Sequence, residues 1–309
     1  MNNENIKIAK VCGLCAGCTN AISVTEKLLQ SKKSVTLFKY LVHNKNVNNR
    51  LMSLGATICE SKDEILNWKN SANQDAVVIV RAHGEPPETF EWFKQNSISF
   101  EDCTCINVKR IHECVQKFSN DGYQIILIGK YGKFSGEIHP EVFGTLGWCN
   151  GDAILVEDKE DLIKIENSKN QKFYLVCQTT FNTQKANELI EEIKNICENS
   201  GKEIIINKSI CLSQKIINQS SADLANQSDL MIVVGGKNSS NTRELANALS
   251  NICKCVFLED INLWKQELEN EKITLSPEIK IGITAGASTM REELNELKSM
   301  IKNAIDKIN

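Results

Sequence analysis

Runs of apolar residues alternate along this chain with stretches in which apolar residues recur every three or four positions. Continuous apolar runs are typical of parallel strands covered on both faces, and the longer amphipathic stretches predict helices. The alternation predicts an α/β fold with mostly parallel sheets. Nine strands are predicted, at 34–42, 75–84, 123–130, 153–158, 173–180, 203–207, 229–236, 255–260 and 279–286. Helices are predicted at 19–30, 108–118, 183–197 and 290–305, and another begins near Thr242.

Three segments of the chain are weakly similar to one another. The segments VVIVRAHG, IILIGKYG and MIVVGGKN each place a glycine-containing loop after an apolar strand. This indicates three similar α/β units, although their spacing is uneven. No Pro-rich or Ser/Gly-rich linker separates the units, so we expect them to pack against one another.

Composition and charge exclude several classes of protein. Apolar residues make up 41% and charged residues 24% of the 309 residues, which is ordinary for a globular protein. The net charge of −3 gives no reason to expect nucleic acid or an anionic membrane as a partner. The start, MNNENIKIAK, does not have the pattern of a signal peptide, and no apolar stretch approaches the roughly 18 residues of a membrane helix. We therefore expect a cytoplasmic protein.

The 13 cysteines are the unusual feature of the composition. In a reducing compartment most of them are expected to be free thiols that pack as small apolar side chains. This interpretation is assigned to the cysteines that lie in apolar or amphipathic segments, namely Cys59, Cys114, Cys149, Cys177, Cys197, Cys253 and Cys255.

Three other cysteines occupy equivalent places in the pattern. Cys15, Cys105 and Cys211 each lie at the predicted start of a helix, one in each predicted unit. Helix N-termini favour the thiolate, so three such thiols could converge on one metal centre. The segment VCGLCAGCTN leaves a second possibility open, in which Cys12, Cys15 and Cys18 hold a cluster locally, as in ferredoxin-like C-x2-C-x2-C runs.

Two polar loops follow buried strands and precede helices. They are GGKNSSN at 235–241 and AGAST at 285–289. Free N–H groups and the positive end of the helix dipole bind anions at such places, and hydroxyl and amide side chains add donors. Plain capping by Ser or Asn is an equally good explanation for either loop alone. Neither loop matches a Walker or dinucleotide fingerprint, so no nucleotide is implied.

The few histidines lie where ligands collect in α/β sheets. His43, His83 and His139 are in loop-like segments just after apolar strands, and the fourth histidine lies inside a predicted helix and is interpreted as structural. Glu141 follows His139 by two positions, and the residues 178–180 close a predicted strand. Each has an ordinary explanation as a turn residue, but together these groups could transfer protons and orient a hydroxyl.

These segments, taken in order, resemble the 4-hydroxy-3-methylbut-2-enyl diphosphate reductase family, also called the LytB or IspH family. Each match is short, but their joint order along nearly the whole chain is specific. The matching segments are GLCAG (13–17), VHN (42–44), AHG (82–84), TC (104–105), HPEV (139–142), GT (144–145), QTT (178–180), IC (210–211), GGKNSSN (235–241) and TAGAS (284–288).

The resemblance implies a cloverleaf of three α/β units around a central iron–sulfur cluster. The implied units are 16–105, 106–207, and 208–309 together with 1–15. Cys15, Cys105 and Cys211 match the family's cluster ligands. Three ligands on a [4Fe–4S] cluster, which four Cys would satisfy, leave one iron without a protein ligand and available to the substrate.

The resemblance also implies a reaction. Members of the family remove the allylic hydroxyl of their diphosphate substrate with two electrons and protons, and form isopentenyl and dimethylallyl diphosphates. Glu141 corresponds to the proton donor and Thr179 to the threonine near the substrate hydroxyl. A ferredoxin or flavodoxin-type protein is the implied electron donor. The implied diphosphate ligands are His43, His83, His139, Ser239, Ser240, Asn241 and Ser288.

Several positions depart from the family's usual pattern. They are Cys12, Leu14, Cys18, Ile106, Gln214 and Ile217–Asn218. A paralogous cluster enzyme that acts on another small phosphorylated substrate therefore stays open. So does an electron-transfer or redox-sensing protein, although such a carrier has no need of a diphosphate pocket.

Overall fold

The computed structural model describes residues 5–42, 44–72, 75–133, 136–151, 153–236, 239–286 and 289–308, and the side chains of Ser240 and Asn241 lie outside that description. In these ranges the chain forms three parallel sheets of four strands each, with helices between the strands. The prediction of an α/β fold with parallel sheets is confirmed.

The first sheet has the strand order β3-β2-β4-β5. Its strands are β2 (Val35–Phe38), β3 (Thr57–Cys59), β4 (Val77–Val80) and β5 (Phe100–Asp102). Between them lie α2 (Lys45–Ser53), α3 (Lys62–Ser71) and α4 (Pro87–Gln95), preceded by α1 (Ala16–Gln30). Phe38, Val78 and Val80 pack against Ile65 of α3 and Phe93 of α4, so one face of this sheet is closed by those two helices.

The second sheet has the order β7-β6-β8-β9. Its strands are β6 (Gln124–Ile128), β7 (Ile154–Val156), β8 (Lys172–Cys177) and β9 (Glu203–Asn207). The helices of this part are α5 (Ile106–Asn120), α6 (Pro140–Gly147), α7 (Ile163–Glu166) and α8 (Thr183–Asn199). Alternate residues of β6 face opposite layers: Ile125 packs with α5 and α6, and Ile126 packs with α8. Burial on both faces explains why the central strands β6 and β8 read as continuous apolar runs.

The third sheet joins the beginning of the chain to its last strand. Its order is β1-β12-β10-β11, and β1 pairs in parallel with β12, with Ile6 opposite Ile281. The strands are β1 (Ile6–Ile8), β10 (Leu230–Val234), β11 (Lys254–Leu258) and β12 (Ile281–Ala285). The helices are α9 (Leu212–Ala225), α10 (Ser240–Ser250), α11 (Trp264–Asn270) and α12 (Arg291–Asp306).

Helices cover this third sheet on both sides as well. Ile232 and Ile283 pack with α11 and α12, whereas Met231 and Val233 pack with α9 and α10. The amphipathic pattern at 290–305 therefore corresponds to α12, whose buried residues include Leu294, Leu297 and Ile301.

Contacts divide the chain into two compact units. One comprises Met1–Ser23, Tyr40–Gly55 and Leu212–Asn309 and holds the third sheet; the other comprises Val24–Lys39 and Ala56–Cys211 and holds the first and second sheets. The division into three units with boundaries near 105 and 207, and the cloverleaf arrangement of those units, stay predictions. None of the helices in the described parts of the chain is both long and apolar enough to cross a bilayer.

Candidate active site

A buried carboxyl group lies at the start of α6. Glu141 is in the first turn of this helix and is only 2% exposed. Thr179, just after β8, donates to both carboxylate oxygens, with its backbone N–H at 2.5 Å from Oε1 and its hydroxyl Oγ1 at 2.7 Å from Oε2. Burial raises the pKa of Glu141 to about 7, against the lowering effect of the two Thr179 hydrogen bonds. The group can thus hold or release a proton near neutral pH.

Two histidines accompany this carboxyl group. His139 caps α6, and its Nδ1 accepts a hydrogen bond from the Glu141 N–H at 3.2 Å. A neutral imidazole that accepts at Nδ1 carries its proton on Nε2, so Nε2 is the atom that can donate to a ligand. The His83 ring lies edge to face with the His139 ring, with 5.5 Å between the centroids. The two predicted diphosphate ligands of this unit are therefore adjacent.

Gln178 supports the loop that carries His139 through hydrogen bonds. The Gln178 side chain is buried, accepts from the Lys130 N–H at 2.9 Å and donates to the Thr180 hydroxyl at 2.7 Å. The Lys130 carbonyl in turn accepts from the His139 N–H at 2.9 Å. The end of β8 thus holds the loop that carries His139, which gives all three residues of the segment 178–180 a role at the site.

Gly84, beside His83, allows the His112 side chain to pack closely against the backbone. Its φ of +78° lies in the left-handed region, and an added Cβ would come within 2.7 Å of His112 Cε1. His112 is buried and stacked on Trp148, with 5.3 Å between the ring centroids, and burial lowers its pKa to about 4. His112 is thus a neutral packing residue behind the His83 loop, as the sequence predicted.

Two of the three predicted cluster ligands belong to the unit that holds the first and second sheets, and each lies at a helix start. Cys105 is the N-cap residue of α5, and Cys211 directly precedes α9. The Cys105 N–H donates to the Ala82 carbonyl at 3.0 Å, so the backbone of Cys105 is held against the loop that carries His83. The Cys211 N–H donates to the Thr179 carbonyl at 2.8 Å. One hydrogen bond therefore connects the Cys211 backbone to the residue that holds Glu141.

The third predicted ligand, Cys15, belongs to the unit that holds the third sheet, and its surroundings favour the thiolate. Cys15 directly precedes α1, and Leu14 beside it donates its N–H to the Thr289 carbonyl at 2.9 Å. A hydrogen bond with the Cys18 thiol lowers the pKa of Cys15, assisted by backbone N–H groups of the first turn and opposed by burial. Thiolate character is what iron ligation requires.

Cys12 has different surroundings. Its Sγ contacts the Ala9 carbonyl at 3.3 Å and Arg291 Nη1 at 3.2 Å, and burial raises its pKa. Burial also raises the pKa of Cys59, Cys197 and Cys253, which were interpreted as packing residues, and raises it to about 12 at Cys149, Cys177 and Cys255. Of Cys12 and Cys15, the ionised form is therefore favoured at Cys15.

In the unit that holds the third sheet, α10 begins at the carboxyl ends of the strands. Ser239 caps this helix and accepts from the Thr242 N–H at 3.3 Å and from the Thr242 hydroxyl at 2.9 Å. An added Cβ at Gly235 or at Gly286 would come within 2.8 Å or 1.9 Å of Thr242, so the helix start sits directly on the ends of β10 and β12. The capping role of Ser239 is thus shown, and its predicted role as an anion ligand remains a prediction.

Several predicted ligands lie outside the described residues. His43 and Ser288 are among them, and so are the side chains of Ser240 and Asn241. The residues on either side of His43 are fixed by Asn48, whose Nδ2 donates to the carbonyls of Val42 and Asn44 at 2.7 Å each.

Some positioning residues gave no signal in the sequence. Asn48 looks like one more polar residue in an Asn-rich stretch, yet it is only 2% exposed. Ser209 reads as a turn residue, but its Oγ accepts from the Cys177 N–H at 2.8 Å and donates to the Cys177 carbonyl at 2.6 Å. Ser209 thereby anchors the Cys211 loop to the end of β8. Hydrogen-bonded amides and hydroxyls of this kind are recognised only from their partners.

Two departures from the family pattern have mild structural consequences. Ile106 is the first residue of α5 and is exposed. Proline is favoured at a first helical position but is not required there, so isoleucine is accommodated. Gln214 is half-buried on α9 and donates to Asn218 one turn later at 2.8 Å. Within the described ranges, no three His, Cys, Asp or Glu side chains are already spaced to hold a metal ion.

Curated relatives match this chain over nearly its whole length. A protein of Clostridioides difficile is 33% identical over 300 residues, which cover 97% of this chain and 99% of the relative. A protein of Aquifex aeolicus is 33% identical over 307 residues and 96% of each chain. Both are named 4-hydroxy-3-methylbut-2-enyl diphosphate reductase.

Solved structures agree with this match. One is described as (E)-4-hydroxy-3-methyl-but-2-enyl diphosphate reductase, the terminal enzyme of the non-mevalonate pathway; it has a TM-score of 0.72, 31% identity and coverage of 96% of this chain and 99% of that one. Another, the E-1-hydroxy-2-methyl-but-2-enyl-4-diphosphate reductase from Plasmodium falciparum, has a TM-score of 0.77 at 27% identity and covers 97% and 88% of the two chains. The LytB protein family matches residues 6–302. The resemblance seen in the sequence is thereby confirmed, and the chain belongs to the LytB protein family.

Proposed function

We propose that the protein is an oxidoreductase that converts 4-hydroxy-3-methylbut-2-enyl diphosphate into isopentenyl and dimethylallyl diphosphates. One substrate molecule takes up two electrons and two protons and releases one water molecule. The C–O bond of the allylic hydroxyl breaks, and one proton leaves with that oxygen while the other is added to the allylic carbon frame. Full-length similarity to curated reductases of that name supports this activity.

The observation that carries the proposal is the buried Glu141–Thr179 pair. A reductive dehydroxylation needs an acid that is protonated near neutral pH at the leaving oxygen, and an unperturbed glutamic acid is almost fully ionised there. Burial supplies this acid by raising the pKa of Glu141 to about 7. The Thr179 hydroxyl, which is held against the carboxylate, is the group that could pass a hydrogen bond on to the substrate hydroxyl.

Family membership implies an iron–sulfur cluster, and the cysteines fit one. Cys15 favours the thiolate, and Cys105 and Cys211 lie at helix starts, where the dipole favours negative charge. We propose that these three hold a [4Fe–4S] cluster with one iron lacking a protein ligand. Such a cluster, when bound, supplies electrons one at a time and a Lewis-acidic iron.

The remaining predicted residues bind the diphosphate. His139 lies beside Glu141 with the His83 ring packed edge to face against it, and Ser239, Ser240 and Asn241 occupy the N-terminal end of α10, where anions are favoured. His43 and Ser288 complete the proposed set. Holding the diphosphate fixes one end of the substrate, so its hydroxyl is delivered to the acid without a further loss of freedom.

An electron donor is required, because no group in the chain can supply two electrons repeatedly. We propose a ferredoxin or flavodoxin-type protein in this role. We also propose a cytoplasmic location, since free thiols of the kind proposed here persist in a reducing compartment.

The test is an anaerobic assay with the reconstituted protein, the diphosphate substrate and a reduced one-electron donor. We expect consumption of the substrate with formation of both isomeric products. The matched control is the same alcohol without its diphosphate, which should not turn over. Cluster reduction without any product from the diphosphate would contradict the proposal and favour a paralogous enzyme or an electron carrier.

A further inference from the structure

Asn107 reaches a thiol of the proposed cluster from a neighbouring segment. It is the second residue of α5, two positions after Cys105. Its Nδ2 lies 3.4 Å from the Sγ of Cys211 and donates to it. Both residues belong to the unit that holds the first and second sheets. An amide carried by one ligand segment thus hydrogen-bonds the sulfur carried by another.

The backbone of Cys211 is already fixed by other contacts. Its N–H donates to the Thr179 carbonyl at 2.8 Å, and Ser209, two positions earlier, is tied to both backbone groups of Cys177. The loop therefore does not depend on Asn107 for its path. The Asn107 amide acts on the sulfur atom itself.

The position of Asn107 in its helix also argues for this role. Asparagine at a helix start normally caps the helix, but the N-cap position of α5 is occupied by Cys105. Asn107 is half-buried, and its side chain turns away from the helix backbone toward Cys211. Helix stability alone would favour a better helix-forming residue here. The sulfur contact is the feature of the structure that accounts for an amide at this position.

An N–H donor changes the chemistry of a sulfur ligand in one direction. Reduction adds negative charge to a cluster and its sulfur ligands, so a hydrogen bond to sulfur stabilises the reduced form more than the oxidised form. Hydrogen bonds to the sulfurs are among the features that set the potentials of iron–sulfur clusters. A donor therefore raises the potential, and its loss lowers it.

We propose that Asn107 is a positioning residue that donates an N–H···S hydrogen bond to Cys211 and raises the reduction potential of the cluster. The inference rests on the proposed function, because it takes Cys211 as a cluster ligand. It assigns to this chain a residue that adjusts how readily the enzyme accepts electrons from its donor.

The experiment is a redox titration of the anaerobically reconstituted protein, followed by electron paramagnetic resonance without substrate. Asn107→Leu keeps a similar volume and removes the donor. We expect its equilibrium constant for one-electron reduction to fall by up to about tenfold, a shift of about 59 mV to lower potential. Asn107→Asp should shift the potential further down, because it replaces the donor with a negative charge. Asn107→Gln keeps an amide and should restore part of the difference.

The matched control is Ile106→Leu, which alters the adjacent exposed residue of the same helical turn. Its potential should equal that of the unaltered protein. An unchanged potential in both Asn107→Leu and Asn107→Asp, at full iron content, would overturn the inference, and so would an equal shift in the control. Cys211→Ser separates this failure from that of the proposed function: full cluster content in that variant would contradict the ligand set itself.

Discussion

Thr179 donates one hydrogen bond to each oxygen of Glu141, one from its backbone and one from its side chain. Both bonds favour the ionised carboxylate, whereas burial favours the neutral acid, and burial has the larger effect. Thr179 therefore limits how far the pKa rises. With a pKa of about 7, Glu141 is partly protonated at physiological pH and can also release its proton there.

Replacing Glu141 by glutamine should remove the acid and keep its shape. We expect Glu141→Gln to lower turnover by about 10²–10⁴-fold, which is the usual contribution of general acid catalysis. The cluster spectrum should not change. Glu137→Gln, an exposed carboxyl four positions earlier, is the matched control and should keep full activity. Steady-state rates of the two variants decide the matter, and near-normal turnover of Glu141→Gln would contradict the role.

The rate should depend on pH through the same group. Because the acid must be protonated, turnover should fall as pH rises through about 7. Thr179→Val removes the side-chain hydrogen bond that stabilises the ionised form, so this limb should move to higher pH. Rate profiles of both proteins with saturating substrate provide the measurement. A limb that stays in place or moves to lower pH in Thr179→Val would disprove the coupling.

The raised pKa also predicts a cost in stability. The pKa of Glu141 is about 7 in the folded protein and near its ordinary value of 4.5 when unfolded. Between these values the folded state binds more protons than the unfolded state, so the free energy of unfolding should decrease as pH rises from about 4.5 to 7. The loss is on the order of 1–3 kcal/mol. Urea unfolding of the unaltered protein and of Glu141→Gln at pH 5 and pH 8 tests this, since the variant lacks the titrating group and should lose less.

The cysteines should separate into two classes on reconstitution. Cys15→Ser, Cys105→Ser and Cys211→Ser should lose the cluster, measured as iron and sulfide content under anaerobic conditions. Cys12→Ser should retain it, because Cys12 is occupied with Ala9 and Arg291. Cys18→Ser should also retain it, and Cys18→Ala, which removes the side-chain hydrogen bond, should raise the pKa of the Cys15 thiol in the cluster-free protein. Complete loss in Cys12→Ser and Cys18→Ser would instead support a cluster held locally by that segment.

The start of α10 should contribute to diphosphate affinity. Asn241 lies in the first turn of this helix, where N–H groups and the dipole favour an anion. Asn241→Ala should weaken binding of isopentenyl diphosphate by about 1.5–3 kcal/mol, the value of a hydrogen bond to a charged group. Asn251→Ala, at the C-terminal end of the same helix, is the control. Calorimetry that finds equal affinity for the diphosphate and the free alcohol in the unaltered protein would exclude the pocket.

The fold followed closely from the apolar pattern, with informative exceptions. All nine predicted strands are present, because each contains a continuous apolar run, and most of these runs are buried in the sheets. The three strands that were not predicted, β1, β3 and β5, have three residues each and lie at sheet edges. These three segments lack a run of apolar residues, whereas β7, which is equally short and also at an edge, lies in the apolar run AILV and was predicted. Helix α1 begins at Ala16 rather than near 19, since its first turn is set by the Cys15 segment and not by apolar spacing.

The site was predictable as a set of residue types but not as a set of contacts. Spacing could place Glu141 after His139 and Thr179 at the end of a strand. It could not show that Thr179 hydrogen-bonds to Glu141, because the distance between the two residues depends on the register of β6 and β8 in the second sheet. Asn107 gave no signal at all, since its partner Cys211 belongs to a distant segment. Buried polar pairs of this kind are products of tertiary packing.

The hydrogen bond from Cys211 to Thr179 closes a long excursion of the chain. Residues 180–210 leave the end of β8 and build α8 and β9, and the chain then returns to within one bond of its starting point. The far turn of that excursion lies at Gly201, which is exposed and has a φ of +64°. Insertions or deletions at this turn would change the length of the loop and leave its two ends in place. Evolution could therefore remodel that turn without altering how Cys211, a proposed cluster ligand, is joined to Thr179.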